Sequence, residues 1–279
     1  MIPPLRSVLI GEFLGTMLLV LLGDGVVASV ILLNKQADWI VITTGWGLAV
    51  TLGVYVSGKL SGGHLNPAVT LAVAVRGETP MALLPAYWGA QLAGAFVGAA
   101  VVYADYAAAF TAFEQANHIV RGSLEQGNLA GPAAGGAGVF ATYPAFDGLL
   151  GHLFSEFLGT AVLLFAVSAV TDKRNLAPGA NLEPVLIGVV VWAIGLSLGG
   201  LTGYAINPAR DLGPRLASAV CGWGVAVFQS HGGYWWVPIA APLAGGVCGA
   251  LLYDLAIRRR LTSEVDRAPS PRESVDSLS

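Results

Sequence analysis

Long apolar runs separated by short polar turns dominate the pattern along this chain. A helix needs about 20 mostly apolar residues to cross a bilayer. Two further apolar stretches, 66–76 and 207–220, each begin with Asn-Pro. A helix of about 11 residues covers only about 16 Å, so we expect these two stretches to form half-helices or surface loops. Six segments are long enough to span: 6–33, 39–59, 81–110, 148–170, 183–202 and 235–257.

The same order of elements occurs twice. GEFLGTMLLVLLG at 11–23 matches SEFLGTAVLLFAV at 155–167, and HLNPAVTLAV at 64–73 matches AINPARDLGP at 205–214. Each copy holds three full spans, so the second copy starts on the opposite side of the membrane. This predicts an all-α membrane protein built as an inverted repeat, whose half-helices meet near the midplane. We expect one channel domain over 1–260, with repeats over about 6–110 and 148–257.

Composition supports a membrane protein and excludes other classes. Only 11% of the 279 residues are charged, against about 25% in soluble domains. The net charge is −3 and the body holds no basic block, so nucleic-acid binding is disfavoured. Two cysteines and four scattered histidines predict no metal site, disulfide framework or cofactor. Residues 261–279 are polar and are expected to form a disordered tail.

The distribution of Lys and Arg predicts the orientation. If the N-terminus is inside, four basic residues fall outside and eight fall inside, which favours cytoplasmic termini in the cell membrane. The outer residues are Lys35, Arg121, Arg210 and Arg215. The inner residues are Arg6, Lys59, Arg76, Lys173, Arg174, Arg258, Arg259 and Arg260.

The two Asn-Pro-Ala turns are the main candidates for a functional role. Asn is a good helix N-cap and Pro suits the first helical position, so an ordinary pair of caps is one interpretation. Irregular backbone at membrane depth, however, is tolerated only when it is buried in protein or lines a wet cavity. Two facing helix N-termini would repel cations and protons, and the Asn amides could donate to a solute oxygen. The turns are Asn66, Pro67, Ala68 and Asn207, Pro208, Ala209.

Three acidic residues of the first and fourth spans are candidates for a specific role. Glu12 and Glu156 occupy matching places in the two copies, and they either relay protons or accept hydrogen bonds from the backbone of their own re-entrant loop. We favour the second role, because intramembrane carboxylates need partners. Asp24 is expected at the outer interface, hydrogen-bonded to the outer loops, or alternatively shaping an outer vestibule.

Together, the turns, the repeated Glu-Phe-Leu-Gly-Thr motif and the half-helices resemble the major intrinsic protein family, and more narrowly its glycerol facilitators. The resemblance implies a passive channel for glycerol, other small neutral solutes and some water, homotetrameric, with no catalytic role. It implies a filter of Trp46, Gly195, Tyr204 and Arg210. It also implies that backbone carbonyls line the pore at Gly62, Gly63, His64, Leu65, Gly203, Tyr204, Ala205 and Ile206.

Details around the second turn bear on selectivity. Gly195 leaves room where water-selective relatives usually carry His, and Asp211 is expected to face away and brace an outer loop with Arg215. Tyr204 departs from the Phe of many bacterial facilitators, and its hydroxyl is expected to add polarity to the filter. A mainly water-conducting pore therefore stays open. A secondary transporter would need a coupling-ion site and a membrane enzyme a nucleophile–base pair, and the sequence suggests neither.

Overall fold

The computed structural model describes residues 3–34, 38–124 and 136–261, and helices make up most of this part of the chain. Lys35 and the tail from residue 262 onward lie outside the described residues. We number the described α-helices in chain order. They are α1 Leu5–Leu33, α2 Trp39–Ser61, α3 Pro67–Val75, α4 Leu84–Asp105, α5 Ala107–Ala116, α6 Leu149–Thr171, α7 Glu183–Leu198, α8 Pro208–Ser218, α9 Ala226–Gly233 and α10 Val237–Tyr253.

The architecture is the predicted one of six membrane-spanning segments and two half-helices. Five helical segments are long and apolar enough to cross a bilayer, namely α1, α2, α4 with its preceding turn, α6 and the segment containing α9 and α10. The sixth, α7, is a shorter apolar helix of 16 residues. It rises about 24 Å at 1.5 Å per residue, and the chain beyond it turns into the second Asn-Pro-Ala loop.

Three predicted boundaries were wrong. The third span ends at Asp105 instead of residue 110, because Tyr106 leaves helical geometry and α5 begins separately. The fifth ends at Leu198 instead of residue 202, where two consecutive glycines favour the turn. The α-helix of the sixth span, α10, begins at Val237 after a 3-10 turn and passes into a π-helical turn at Asp254, whereas 235–257 was predicted. The expected outer loop 111–147 also contains the end of α5 and a 3-10 turn at Gly136–Val139.

Two pairs of glycines let the first and third spans of each repeat pack closely. In α4, a Cβ at Gly94 or Gly98 would collide with backbone atoms of α1 at Phe13 and Met17. In α10, a Cβ at Gly245 or Gly249 would collide with backbone atoms of α6 in the same way. Small residues four apart are a common device for bringing membrane helices together. The two repeats therefore use the same contact, α1 with α4 and α6 with α10.

The half-helices α3 and α8 meet at their N-termini. Asn66 caps α3 by accepting from the backbone N–H of Ala68 at 2.8 Å, and Asn207 caps α8 by accepting from Ala209 and Arg210 at 3.0 and 3.2 Å. Pro67 and Pro208 begin the two helices. Both predicted helix starts are confirmed, and the positive ends of two short dipoles face one another inside the protein.

Candidate functional site

A cavity of about 340 Å³ runs along the junction of the two half-helices. We call the end at Trp46, Tyr204 and Arg210 the filter end. The opposite end is bounded by Glu78, Thr171 and Glu183. Between the ends, the lining includes residues of both Asn-Pro-Ala loops. Apolar side chains complete the lining: Leu19, Val50, Val54, Val69, Val73, Leu163, Val167, Ile187 and Val191.

Glu12 holds the first loop. It is fully buried, and its carboxylate accepts from the backbone N–H of His64 at 3.0 Å and of Leu65 at 2.7 Å. The hydroxyl of Ser61 and the side-chain amide of Gln91 donate to the same carboxylate. Leu65 has a φ of 52°, which is unfavourable for a branched side chain, so these hydrogen bonds help to hold a strained backbone.

Glu156 holds the second loop in the same manner. It is also fully buried, and its two oxygens accept from the backbone N–H groups of Ala205 at 3.0 Å and Ile206 at 2.8 Å. Tyr204 and Ile206 have φ values of 40° and 44°. Each such residue costs about 1–3 kcal/mol unless its surroundings enforce the conformation. The carboxylate therefore supports two strained residues of the loop.

The asparagine amides also cross-link the two loops. Asn66 Nδ2 donates to the carbonyl of Ile206 at 2.8 Å, and Asn207 Nδ2 donates to the carbonyl of Leu65 at 2.8 Å. One amide hydrogen of each Asn and one lone pair of each carbonyl are thus already used. The second hydrogen and the second lone pair are what these groups can offer to a solute. No pattern in the sequence predicts this reciprocal contact.

The remaining predicted carbonyl residues differ in their positions. Gly62, Gly63, His64 and Ala205 line the cavity. Gly203 lies outside the lining and packs against the side chain of Thr142. The ring of His64 stacks on Tyr87 with 4.7 Å between centroids, and its Nδ1 lies 3.2 Å from the Thr70 hydroxyl. Among the described residues, no group of three potential metal ligands comes together.

The filter end combines a cation with aromatic rings. The guanidinium carbon of Arg210 lies 4.1 Å from the centroid of the Trp46 ring, a typical cation–π distance. Tyr204 meets Trp39 edge to face, with 5.7 Å between centroids. The Tyr204 hydroxyl is buried and has no hydrogen-bond partner among the residues that the structure describes. The expectation that this hydroxyl adds polarity to the filter stays a prediction.

Gly195 lies behind the filter and does not line the cavity. A Cβ there would come within 2.9 Å of both Thr43 Cγ2 and Tyr204 Cζ. Its carbonyl accepts from the indole N–H of Trp39 at 2.9 Å. Gly195 thus leaves room for the Tyr204 ring rather than directly for a solute. Trp39 was not singled out from the sequence. Its position at the start of the second span is the only sequence feature that points to it.

Asp211 and Arg215 form a buried ion pair that ties the 136–147 segment to α8. Arg215 Nε and Nη2 donate to one Asp211 oxygen at 3.0 and 2.9 Å. The other Asp211 oxygen accepts from the backbone N–H and the hydroxyl of Thr142 at 2.8 and 2.6 Å. Arg215 also donates to the carbonyls of Thr142 and Val227, both at 2.8 Å. Thr142 and Val227 were not singled out from the sequence.

Asp24 is buried inside the protein, whereas the sequence predicted a position at the outer interface. The residue is fully buried in α1, and neither carboxylate oxygen has a hydrogen-bond partner among the described residues. The expected hydrogen bonds to outer loops are therefore wrong for the described part of those loops. At 18 positions beyond Arg6, Asp24 lies toward the outer end of α1, and both Gly136–Val139 and α8 pack against that helix.

Comparison with known proteins agrees with this geometry. A family model described as "Major intrinsic protein" matches residues 3–253. A probable glycerol uptake facilitator protein of Thermotoga maritima is 47% identical over 251 residues, covering 89% of this chain and 98% of the relative. Glycerol uptake facilitator protein 3 of Lactiplantibacillus plantarum is 46% identical over 255 residues, covering 90% and 98%. The X-ray structure of the aquaglyceroporin from Plasmodium falciparum superposes with a TM-score of 0.82 at 33% identity, covering 93% of this chain and all of that one. On these matches, the chain belongs to the major intrinsic protein family.

Proposed function

We propose that this chain is a passive channel for glycerol and related small neutral solutes, with some water permeation, that excludes ions and protons. Family membership makes it a multi-pass membrane channel and not an enzyme. The observation that carries the choice of solute is the mixed polar and aliphatic lining of the cavity. The lining combines the residues of the two re-entrant loops, with their backbone and Asn amides, and a set of aliphatic side chains.

A polyol suits this arrangement because its hydroxyls and its C–H groups lie on different sides. The hydroxyls exchange water for the loop carbonyls, the second amide hydrogens of Asn66 and Asn207, and the donors of Arg210. The C–H groups contact the aliphatic side chains of the lining and the rings of Trp46 and Tyr204. Conduction needs binding that is weak enough to leave, and single hydrogen bonds traded against water meet this condition.

Ion exclusion follows from the junction of α3 and α8. Each helix N-terminus carries about half a positive charge, and Arg210 adds a full one at the filter end. A cation, or a proton hopping along a file of water, meets this potential in a narrow passage. The roles of Glu12, Glu156 and Asp211 are to hold the loops in place.

A coupled transporter receives no support from the carboxylates. The proton-relay interpretation needs an ionisable group that can release its partners, yet both oxygens of Glu12 and Glu156 accept backbone N–H groups. Breaking these bonds would release the strained loops. We therefore assign both carboxylates to bracing.

We further propose one channel domain over 1–260, a homotetramer with one pore per subunit, and residence in the cell membrane with both termini cytoplasmic. The excess of basic residues on the expected inner side supports this orientation. Protease or cysteine-labelling access to tags at each terminus of the intact cell would test it, and labelling of either tag from outside contradicts it.

Proteoliposomes containing the purified chain test the function. We expect glycerol uptake far above that of bare lipid, linear in the gradient and unchanged by an imposed proton gradient. Water and urea are measured beside it by light scattering. Glycerol uptake equal to bare lipid with rapid water flux would favour the water-channel alternative, and accumulation against a gradient would exclude a passive channel.

A further inference from the structure

The Tyr204 ring lines the cavity at the filter end, but no hydrogen bond fixes its direction. The backbone around it is anchored, because the N–H groups of Ala205 and Ile206 donate to Glu156. The Tyr204 hydroxyl, in contrast, has no hydrogen-bond partner within the described part of the chain. The direction of the ring, and with it the width of the filter end, therefore depends on how the ring packs against its neighbours.

Two glycines at the end of α7 form the surface against which the ring packs. A Cβ at Gly195 would lie 2.9 Å from Tyr204 Cζ, and a Cβ at Gly199 would lie 2.5 Å from Tyr204 Cδ1. Neither glycine lines the cavity. The two glycines limit how far the ring can withdraw toward α7, but, since they have no side chains, they do not hold it from the side.

Trp39 supplies a side-chain contact to the same ring. The two rings meet edge to face, with 5.7 Å between centroids and 80° between their planes. The indole N–H of Trp39 donates to the carbonyl of Gly195 at 2.9 Å. This carbonyl belongs to the last turn of α7, where carbonyls lack a partner within the helix. The hydrogen bond therefore anchors Trp39 to the glycine surface on which Tyr204 packs.

We propose that Trp39 is a positioning residue that holds the Tyr204 ring in place and thereby sets the upper size limit of the solutes that pass the filter. Trp39 does not itself line the cavity, so it acts through Tyr204. Removal of its ring leaves a space beside Tyr204, and neighbouring side chains relax into such a space at least in part. The Tyr204 ring then withdraws from the passage, and polyols larger than glycerol gain most from the wider opening. This inference rests on the proposed channel function and narrows its solute class.

Proteoliposomes containing the full chain test the size limit. The measured quantity is the ratio of erythritol to glycerol uptake by light scattering, after subtraction of the bare-lipid rates. Trp39→Leu removes the ring and its N–H, and it should raise this ratio by at least about threefold, which corresponds to about 0.7 kcal/mol in the difference between the two barriers. Trp39→Phe keeps a smaller ring and should raise the ratio less; it decides alone if Trp39→Leu does not fold. An unchanged or lower ratio would overturn the proposal.

Trp235 supplies the matched control. Its ring meets Phe228 edge to face, with 5.9 Å between centroids and 84° between the planes, and neither residue lines the cavity. Trp235→Leu should therefore leave the ratio unchanged. A rise as large as that of Trp39→Leu would show a general loosening of the protein and would overturn the proposal. A partly misfolded preparation lowers both uptake rates together, so a merely structural role of Trp39 would not move the ratio.

A double-mutant cycle on the full chain in detergent tests the contact between the rings without measuring transport. The variants are Trp39→Leu, Tyr204→Leu and both together. Each single change removes the same edge-to-face contact, so the double variant should lose about 2–4 °C less in melting temperature than the sum of the two single losses. Additive losses would overturn the proposal. Glycerol uptake by the wild type no faster than through bare lipid would overturn the proposed function instead, and the result of the cycle does not depend on it.

Discussion

Glu156→Gln should destabilise the second Asn-Pro-Ala loop and slow glycerol transport. The carboxylate accepts from the backbone N–H groups of Ala205 and Ile206, at 3.0 and 2.8 Å, in a fully buried position. An amide has only one acceptor oxygen, so its NH₂ group must face one of the two N–H groups. The loop residues that depend on this contact, Tyr204 and Ile206, have positive φ values.

The magnitude follows from the two lost interactions. One buried N–H without an acceptor costs about 1–3 kcal/mol, and replacing a charged acceptor by a neutral one at the other N–H costs about 1 kcal/mol more. A total of about 2–4 kcal/mol corresponds to a fall of about 5–15 °C in melting temperature for a chain of this size. If the displaced loop adds half of this free energy to the barrier for glycerol permeation, glycerol uptake falls roughly tenfold.

Thermal unfolding in detergent and light-scattering uptake in proteoliposomes provide the two measurements. Glu78→Gln is the matched control for thermal unfolding only, since it makes the same chemical change at a carboxylate whose side chain is 41% exposed but lines the cavity. Exposed ion pairs contribute about 0–1 kcal/mol, so its effect should be small. A Glu156→Gln protein with the melting temperature and uptake rate of the wild type would refute the bracing role.

Three further substitutions test the filter and its support. Gly195→Ala places a methyl group within 2.9 Å of Thr43 Cγ2 and Tyr204 Cζ, so the Tyr204 ring should move toward the cavity and glycerol uptake should fall more than water flux; an unchanged ratio of the two would count against this geometry. Gly23→Ala should displace the Trp46 ring and reduce glycerol uptake in the same assay, and a normal rate would show that Trp46 can move without narrowing the passage. Asp211→Asn leaves Arg215 buried without a counter-charge, which should cost about 3–5 kcal/mol in thermal unfolding. Adding Arg215→Met should recover part of that loss, and no recovery would indicate that Asp211 acts mainly through Thr142.

The local features of the half-helices could be read from the sequence because their causes are local. An Asn cap followed by Pro starts a helix wherever it occurs, and length alone decides that such a helix cannot cross the bilayer. The matching order of elements around Glu12 and Glu156 predicted an inverted repeat, since three spans per copy reverse the direction of the chain. The bracing contacts of these two residues followed from the need of a buried carboxylate for donors.

Contacts between distant segments could not be read in this way. The reciprocal hydrogen bonds of Asn66 and Asn207 join residues about 140 positions apart. Trp39 reaches Gly195 across the interface of α2 and α7. The helix ends near residues 105 and 198 depend on how the following segment packs, which a hydropathy pattern does not record.

By itself, the sequence determined a membrane protein of two inverted copies, because apolar length, polar turns and helix caps act through neighbouring residues and the bilayer. Only the tertiary structure decided which groups the filter presents. It buried the Tyr204 hydroxyl without a hydrogen-bond partner in the described part of the chain, set Gly195 against the Tyr204 ring, and enclosed the Asp24 carboxyl within the protein. The orientation of a side chain in a packed interior depends on shape and charge contributed by several helices at once, and no single stretch of the chain contains that information.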